Sequence, residues 1–116
     1  MNWLRVLALV LFAAVSVPAQ AHAFLDHAQP RVGATVPAAP GKLTLTFSQQ
    51  IEPAFSTVKV TDARGRRVDK GDVHVDGALM QVSLDALGPG DYTVTWRVVS
   101  TDTHVTKGNY VFHVGP

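Results

Sequence analysis

Tyr92-Thr93-Val94-Thr95-Trp96-Arg97-Val98 decides the fold. Tyr92, Val94, Trp96 and Val98 fall on every second position, with threonines and an arginine between them. Successive side chains leave a strand on opposite sides, so this period of two predicts a strand buried on one face and wetted on the other. Gly88-Pro89-Gly90-Asp91 punctuates the chain just upstream, where backbone breakers mark a turn. Trp96, at mid-strand, is the expected anchor between two packed sheets.

Outward from this segment the same alternation returns. It runs through Leu43-Thr44-Leu45-Thr46-Phe47, Val58-Lys59-Val60-Thr61, Asp72-Val73-His74-Val75, Met80-Gln81-Val82-Ser83-Leu84 and Tyr110-Val111-Phe112-His113-Val114. Phe24 to Gln29 adds an edge strand ending at Pro30, since proline cannot continue a ladder. Pro37-Ala38-Ala39-Pro40-Gly41, Asp62-Ala63-Arg64-Gly65 and Asp76-Gly77 supply turns between the runs. No segment after residue 21 carries the 3.6 period of an amphipathic helix. Seven short strands at regular spacing predict an all-β sandwich or Greek-key barrel. At 116 residues the chain has room for one such domain.

Residues 1–21 read differently. Arg5 precedes an unbroken apolar run from Val6 to Val15, followed by Pro18 and the small-residue site Ala19-Gln20-Ala21. This is the pattern of a secretory signal peptide, too short to span a bilayer. The expected division is a cleaved signal over 1–21 and a domain over 22–116. A second small-residue site, Ala21-His22-Ala23, overlaps the first. One cut leaves His22 at the new N-terminus and the other discards it.

Composition narrows the chemistry. Ten Lys and Arg face nine Asp and Glu, for a formal net charge of +1, which argues against a nucleic-acid partner. Cysteine is absent, excluding disulfides, thiolate metal sites and the blue-copper centre, whose site requires Cys. Beyond the leader the only methionine is Met80. All five histidines follow residue 21: His22, His27, His74, His104 and His113.

His74 and His113 sit between apolar neighbours, so both are expected on outer strand faces. His27, beside Asp26, is a candidate secondary ligand or a surface residue. His22 and His104 carry more chemistry. As a mature N-terminus, His22 offers an α-amine and an imidazole that close a chelate on one metal ion. The amine's reference pKa of about 7.7–8.0 lets a metal displace its proton near neutral pH. Asp102-Thr103-His104 places a carboxylate and an imidazole two residues apart at a loop end, in the connection between the Trp96 and Tyr110 strands, and in an extended segment the two project to the same side. An amine, two imidazoles and a carboxylate without sulfur suit tetragonal Cu(II), with Zn(II) or Ni(II) held less tightly.

These residues carry a family resemblance. His22-Ala23-Phe24-Leu25, Pro30, Gly33-Ala34-Thr35-Val36 and Leu43 to Ser48 resemble the CopC family of periplasmic copper-resistance proteins. The most specific block is Leu87-Gly88-Pro89-Gly90-Asp91 through Ser100, running on into Asp102-Thr103-His104 and ending with Gly108, Phe112 and Val114. The resemblance implies a seven-stranded Greek-key β-barrel close to a cupredoxin or immunoglobulin-like sandwich. It implies Cu(II) held by His22, through amine and imidazole, with Asp102 and His104, and therefore cleavage after Ala21. Some members carry a Met-rich Cu(I) loop, which Met80 alone does not build. Two departures stand out. Phe24 occupies the third mature position, where many relatives have a second histidine. Thr103 replaces the usual central glycine, and a β-branched residue resists a position that needs positive φ.

Rival readings explain less. A histidine-brace oxidase resembling the lytic polysaccharide monooxygenases needs an open metal position that a carboxylate would fill. Ser100, Asp102 and His104 are too close in one segment to form a hydrolytic triad, and no nucleophile elbow is present. A metal-free immunoglobulin-like interaction module accounts for the strands but leaves the histidines unused. Arg64-Gly65-Arg66-Arg67 reads as a solvated hairpin tip. The expectation is a non-enzymatic periplasmic protein, not membrane-embedded once cleaved, that binds Cu(II). Its role would be sequestration, resistance or delivery to an inner-membrane importer.

Overall fold

The computed structural model describes residues 22–116, so the leader expected over 1–21 lies outside the described residues. Eight strands occur in chain order: β1 Leu25–Gln29, β2 Thr35–Val36, β3 Lys42–Phe47, β4 Thr57–Thr61, β5 His74–Asp76, β6 Leu79–Ser83, β7 Gly90–Val99 and β8 Val105–Val114. The one helical element among them is a single 3-10 turn at Pro53–Phe55. The strands form two four-stranded sheets, ordered β1-β3-β6-β5 and β2-β8-β7-β4. The all-β sandwich expected from the alternation is therefore present, with eight strands rather than seven. The additional one is β2, a two-residue strand running parallel to the end of β8.

Alternation supplies the core, as a period of two demands. Leu43, Leu45 and Phe47 of β3 and Met80 and Val82 of β6 face inward from one sheet. Val58 and Val60 of β4, Tyr92, Val94 and Val98 of β7, and Tyr110, Phe112 and Val114 of β8 meet them from the other. Trp96 is only partly buried but packs on this core, with ring centroids 6.2 Å from Phe47 and 6.3 Å from Tyr110. Its cross-strand partner is Gly108. A Cβ on Gly108 would lie 2.6 Å from Cζ2 of Trp96, so glycine there makes room for the ring. Tyr110 donates its hydroxyl to the Pro30 carbonyl at 2.8 Å, tying β8 to the end of β1, and burial pushes its phenol pKa up.

A buried carboxylate joins the sheets on one side. After β4 the chain turns through Asp62–Arg66 and returns along the edge of β4, where the Val68 amide donates to the Val60 carbonyl at 2.8 Å. Asp69, whose side chain is fully enclosed, then accepts the Val60 amide at 2.9 Å and the Gly71 amide at 3.0 Å. Arg67 Nε reaches both of its oxygens at 3.1 and 2.9 Å. Burial alone would raise the Asp69 pKa, but the Arg67 guanidinium and the two amides outweigh it and hold the carboxyl below its usual range. The backbone at Asp69 also bridges to Leu84, just past β6, so this residue joins the sheets with its side chain on β4 and its main chain beside the other sheet.

Candidate metal centre

One end of the sandwich gathers three of the residues singled out above. The chain enters through His22, Ala23 and Phe24. Ala23 is completely buried and acts as the anchor of this segment. Ser48, just past β3, clamps the flanking residues. Its hydroxyl accepts the Phe24 amide at 2.8 Å and donates to the His22 carbonyl at 3.3 Å. Its own amide donates to the Phe24 carbonyl at 2.8 Å. His22 is thereby held over the β7–β8 connection, and its ring centroid lies 5.0 Å from that of His104.

The motif lies in the connection between the two long strands, as expected, and its local path is a tight turn, not an extended one. The Thr103 amide donates to the Ser100 carbonyl at 2.8 Å, and the Ser100 amide donates to the His104 carbonyl at 2.9 Å. Thr103 sits at φ 75°, the one non-glycine residue with positive φ among the described residues. The backbone thus adopts the left-handed conformation that disfavours a β-branched residue. Asp102 and His104 still come together, with His104 Nδ1 3.3 Å from Asp102 Oδ1, but the turn achieves it, not strand alternation.

Ser100 organises the turn from below. It is fully buried. Its hydroxyl donates to Asp102 Oδ1 at 2.5 Å and accepts the His104 amide at 3.2 Å. The Ser100 hydrogen bond is the main cause holding the Asp102 carboxyl below its usual range. Burial opposes it, and contact with His104 adds to it. The ionised Asp102 carboxylate therefore faces the His104 imidazole, with the His22 ring on from it, 5.0 Å from that of His104. Among the described residues, no three His, Cys, Asp or Glu side chains are grouped so as to hold a metal ion.

The other histidines lie elsewhere. His27 is an exposed residue of β1, paired in register with Thr46 next to a bulge. His74 is exposed on β5. His113 faces outward but is not free: its Nδ1 lies 2.6 Å from Asp91 Oδ1, its cross-strand partner. Phe24 is exposed, 5.8 Å from the His22 ring. Sequence reasoning missed the positioning roles of Ser48 and Ser100. Ser100 was visible only as a failed triad member, and its spacing of two from Asp102 was the available signal. Met80 is completely buried in the core, away from any surface site.

Residues 25–115 match the model of the CopC domain. The chain is 39% identical over 112 residues to Protein YobA of Escherichia coli strain K12, covering 93% of this chain and 90% of that protein. The crystal structure of CopC from Methylosinus trichosporium OB3b superposes with a TM-score of 0.73 at 34% identity, covering 82% of this chain and 95% of that one. The crystal structure of PcoC, a methionine-rich copper resistance protein from Escherichia coli, gives a TM-score of 0.72 at 36% identity, covering 81% and 99%.

Proposed function

The chain belongs to the CopC family, and from that premise we propose that it binds Cu(II) through the His22 amine and imidazole, Asp102 and His104. The observation that carries this reading is the approach of the His22 ring to 5.0 Å from His104, with Asp102 against His104. Two independent parts of the chain, an N-terminal segment clamped by Ser48 and a turn organised by Ser100, converge on one spot. Nitrogen and oxygen donors without sulfur favour Cu(II) over Cu(I). The single methionine of the domain is locked in the core, which fits the same preference.

The reading requires export and cleavage after Ala21, so that the α-amine of His22 becomes a donor. The protein then works in the periplasm, sequestering copper or passing it to an inner-membrane importer, and performs no catalysis of its own. No helix among the described residues is long and apolar enough to cross a membrane.

Competition with a chromophoric chelator tests the site. Asp102→Ala and His104→Ala should each weaken Cu(II) binding by at least about tenfold, as loss of a ligand from a four-donor set requires. One extra residue ahead of His22 should do the same by displacing the amine. Unchanged affinity in all three variants rejects the ligand set. Intact-mass measurement of the exported protein tests the cut: a chain beginning at Phe24 removes the chelate.

A further inference from the structure

Copper ligation as read above leaves the side chain of Phe24 without a task, although it stands beside the candidate centre and is 54% exposed. An exposed apolar side chain is ordinary on a protein surface. Phe24 differs in how it is held and in what it touches. The Ser48 hydroxyl accepts its amide at 2.8 Å, and the Ser48 amide donates to its carbonyl at 2.8 Å. Ala23 before it is completely buried, and Leu25 after it pairs with Phe47 across β1 and β3. The Phe24 side chain therefore leaves the N-terminal segment from a fixed point.

His22 is held less firmly. One hydrogen bond reaches it, from the Ser48 hydroxyl to its carbonyl at 3.3 Å, and its imidazole takes part in none among the described residues. The imidazole has two aromatic neighbours instead. Its centroid lies 5.8 Å from that of Phe24 and 5.0 Å from that of His104, with each pair of rings inclined at 51°. Both distances fall within the range of about 4.5–7 Å over which tilted aromatic rings attract. An unrestrained imidazole turns about two side-chain bonds, and fixing it when a metal binds costs rotamer entropy. A neighbour that fixes it beforehand removes that cost. His104 is the group that His22 must meet, so Phe24 is the contact left to hold the His22 ring in place.

We propose that Phe24 is a positioning residue, whose ring holds the His22 imidazole toward His104 before any metal arrives. The proposal rests on the reading of His22 and His104 as ligands. Phenylalanine suits the task because it brings neither a lone pair to compete for the metal nor a donor to turn the imidazole away. An imidazole bound to a cation is electron-poor, and an aromatic ring attracts electron-poor groups. Phe24 therefore acts as an aromatic ring and not as apolar bulk alone.

The test compares the mature protein beginning at His22 with its Phe24→Leu and Phe24→Tyr variants. Leucine keeps an apolar side chain without a π system, and tyrosine keeps the ring. In the metal-free protein, proton NMR should show nuclear Overhauser contacts from the His22 imidazole to the rings of Phe24 and His104. Phe24→Leu should remove the contact to His104, and Phe24→Tyr should keep it. The amide of residue 24 should stay protected from exchange in both variants, because Ser48 holds it. Cu(II) competition should show affinity lowered about two- to tenfold in Phe24→Leu and within about twofold of the wild type in Phe24→Tyr. A persistent His22–His104 contact in Phe24→Leu overturns the proposal, as does a tyrosine variant that behaves like the leucine one. Copper affinity unchanged in Phe24→Leu, where Asp102→Ala weakens it, overturns it too. Lost protection of the residue 24 amide in Phe24→Leu also does, since Phe24 would then hold the whole segment and not the imidazole. The metal-free contacts are read without copper. If Asp102→Ala and His104→Ala leave copper affinity unchanged, the ligand set fails, while those contacts still decide the role of Phe24.

Discussion

Replacing Ser100 by alanine should damage copper binding without touching a ligand. The hydroxyl makes three contacts in the turn: 2.5 Å to Asp102 Oδ1, 3.2 Å from the His104 amide and 3.3 Å to the His104 carbonyl. The first is a bond to an ionised group, a class that contributes roughly 1.5–3 kcal/mol. In the variant Asp102 loses its main anchor, and its side chain must be ordered again when the metal binds. Groups that orient metal ligands typically contribute about 10–100-fold in affinity, or about 1.4–2.7 kcal/mol, in line with the loss of that one bond. The assay is Cu(II) competition against a chelator at neutral pH, with a thermal melt of the metal-free variant alongside. Asp102→Ala is the reference. If Ser100→Ala binds within about twofold of the wild type while Asp102→Ala loses at least about tenfold, Ser100 does not position the site and the reasoning fails.

Three further outcomes follow from the geometry. Gly108→Ala would put a Cβ 2.6 Å from Trp96 Cζ2 and 2.8 Å from Cη2, against an ordinary contact of about 3.5–4.0 Å. It should cost about 1–3 kcal/mol in denaturant melts, and much less in a Trp96→Leu background, where a full cost would disprove the clash. Thr103→Gly removes a β-branched residue from φ 75°. It should raise stability by about 1 kcal/mol with copper affinity preserved, and a lower melting temperature would contradict the strain. Asp69 has a folded pKa below its unfolded value. Its contribution is therefore complete above about pH 4 and is lost as pH falls through the folded value. Asp69→Asn should destabilise the domain at pH 7 by roughly 1–3 kcal/mol and flatten the acid limb of a stability–pH curve. An unchanged acid limb would assign that loss to other carboxylates.

The sandwich was legible because its core strands carry enough residues to show a period. Leu43 to Phe47 and Tyr92 to Val98 each place three or four apolar side chains on one face, and no other local structure does that. Thr35–Val36 has two residues and therefore no period. It becomes a strand only because β8 lies beside it. The ends of β8 illustrate the same point. Val105 to Asn109 include a lysine, a glycine and an asparagine, and they read as loop until pairing with β7 extends the strand.

At the candidate centre the residue types were legible and the geometry was not. Threonine disfavours positive φ, so the residue types alone did not point to a left-handed turn at Thr103. The hydrogen bonds of Ser100 to both sides of the turn impose the left-handed residue against that preference. The nearness of His22 to His104 depends on Ser48, 26 residues from His22, and no local pattern encodes it. Register alone likewise brings Asp91 to His113. Contacts set by the pairing of distant strands appear once the sheets are assembled.

The burial of Met80 has a consequence for durability. Copper that changes oxidation state generates oxidants at the place where it is held, and sulfur side chains are oxidised first where they are exposed. The domain has no cysteine, and its one thioether is sealed between the sheets with no accessible surface. Were copper held at the proposed centre, it would find no exposed sulfur on this domain to attack. The domain should keep its shape through repeated loading under aerobic conditions, without the repair that a methionine-lined site would need.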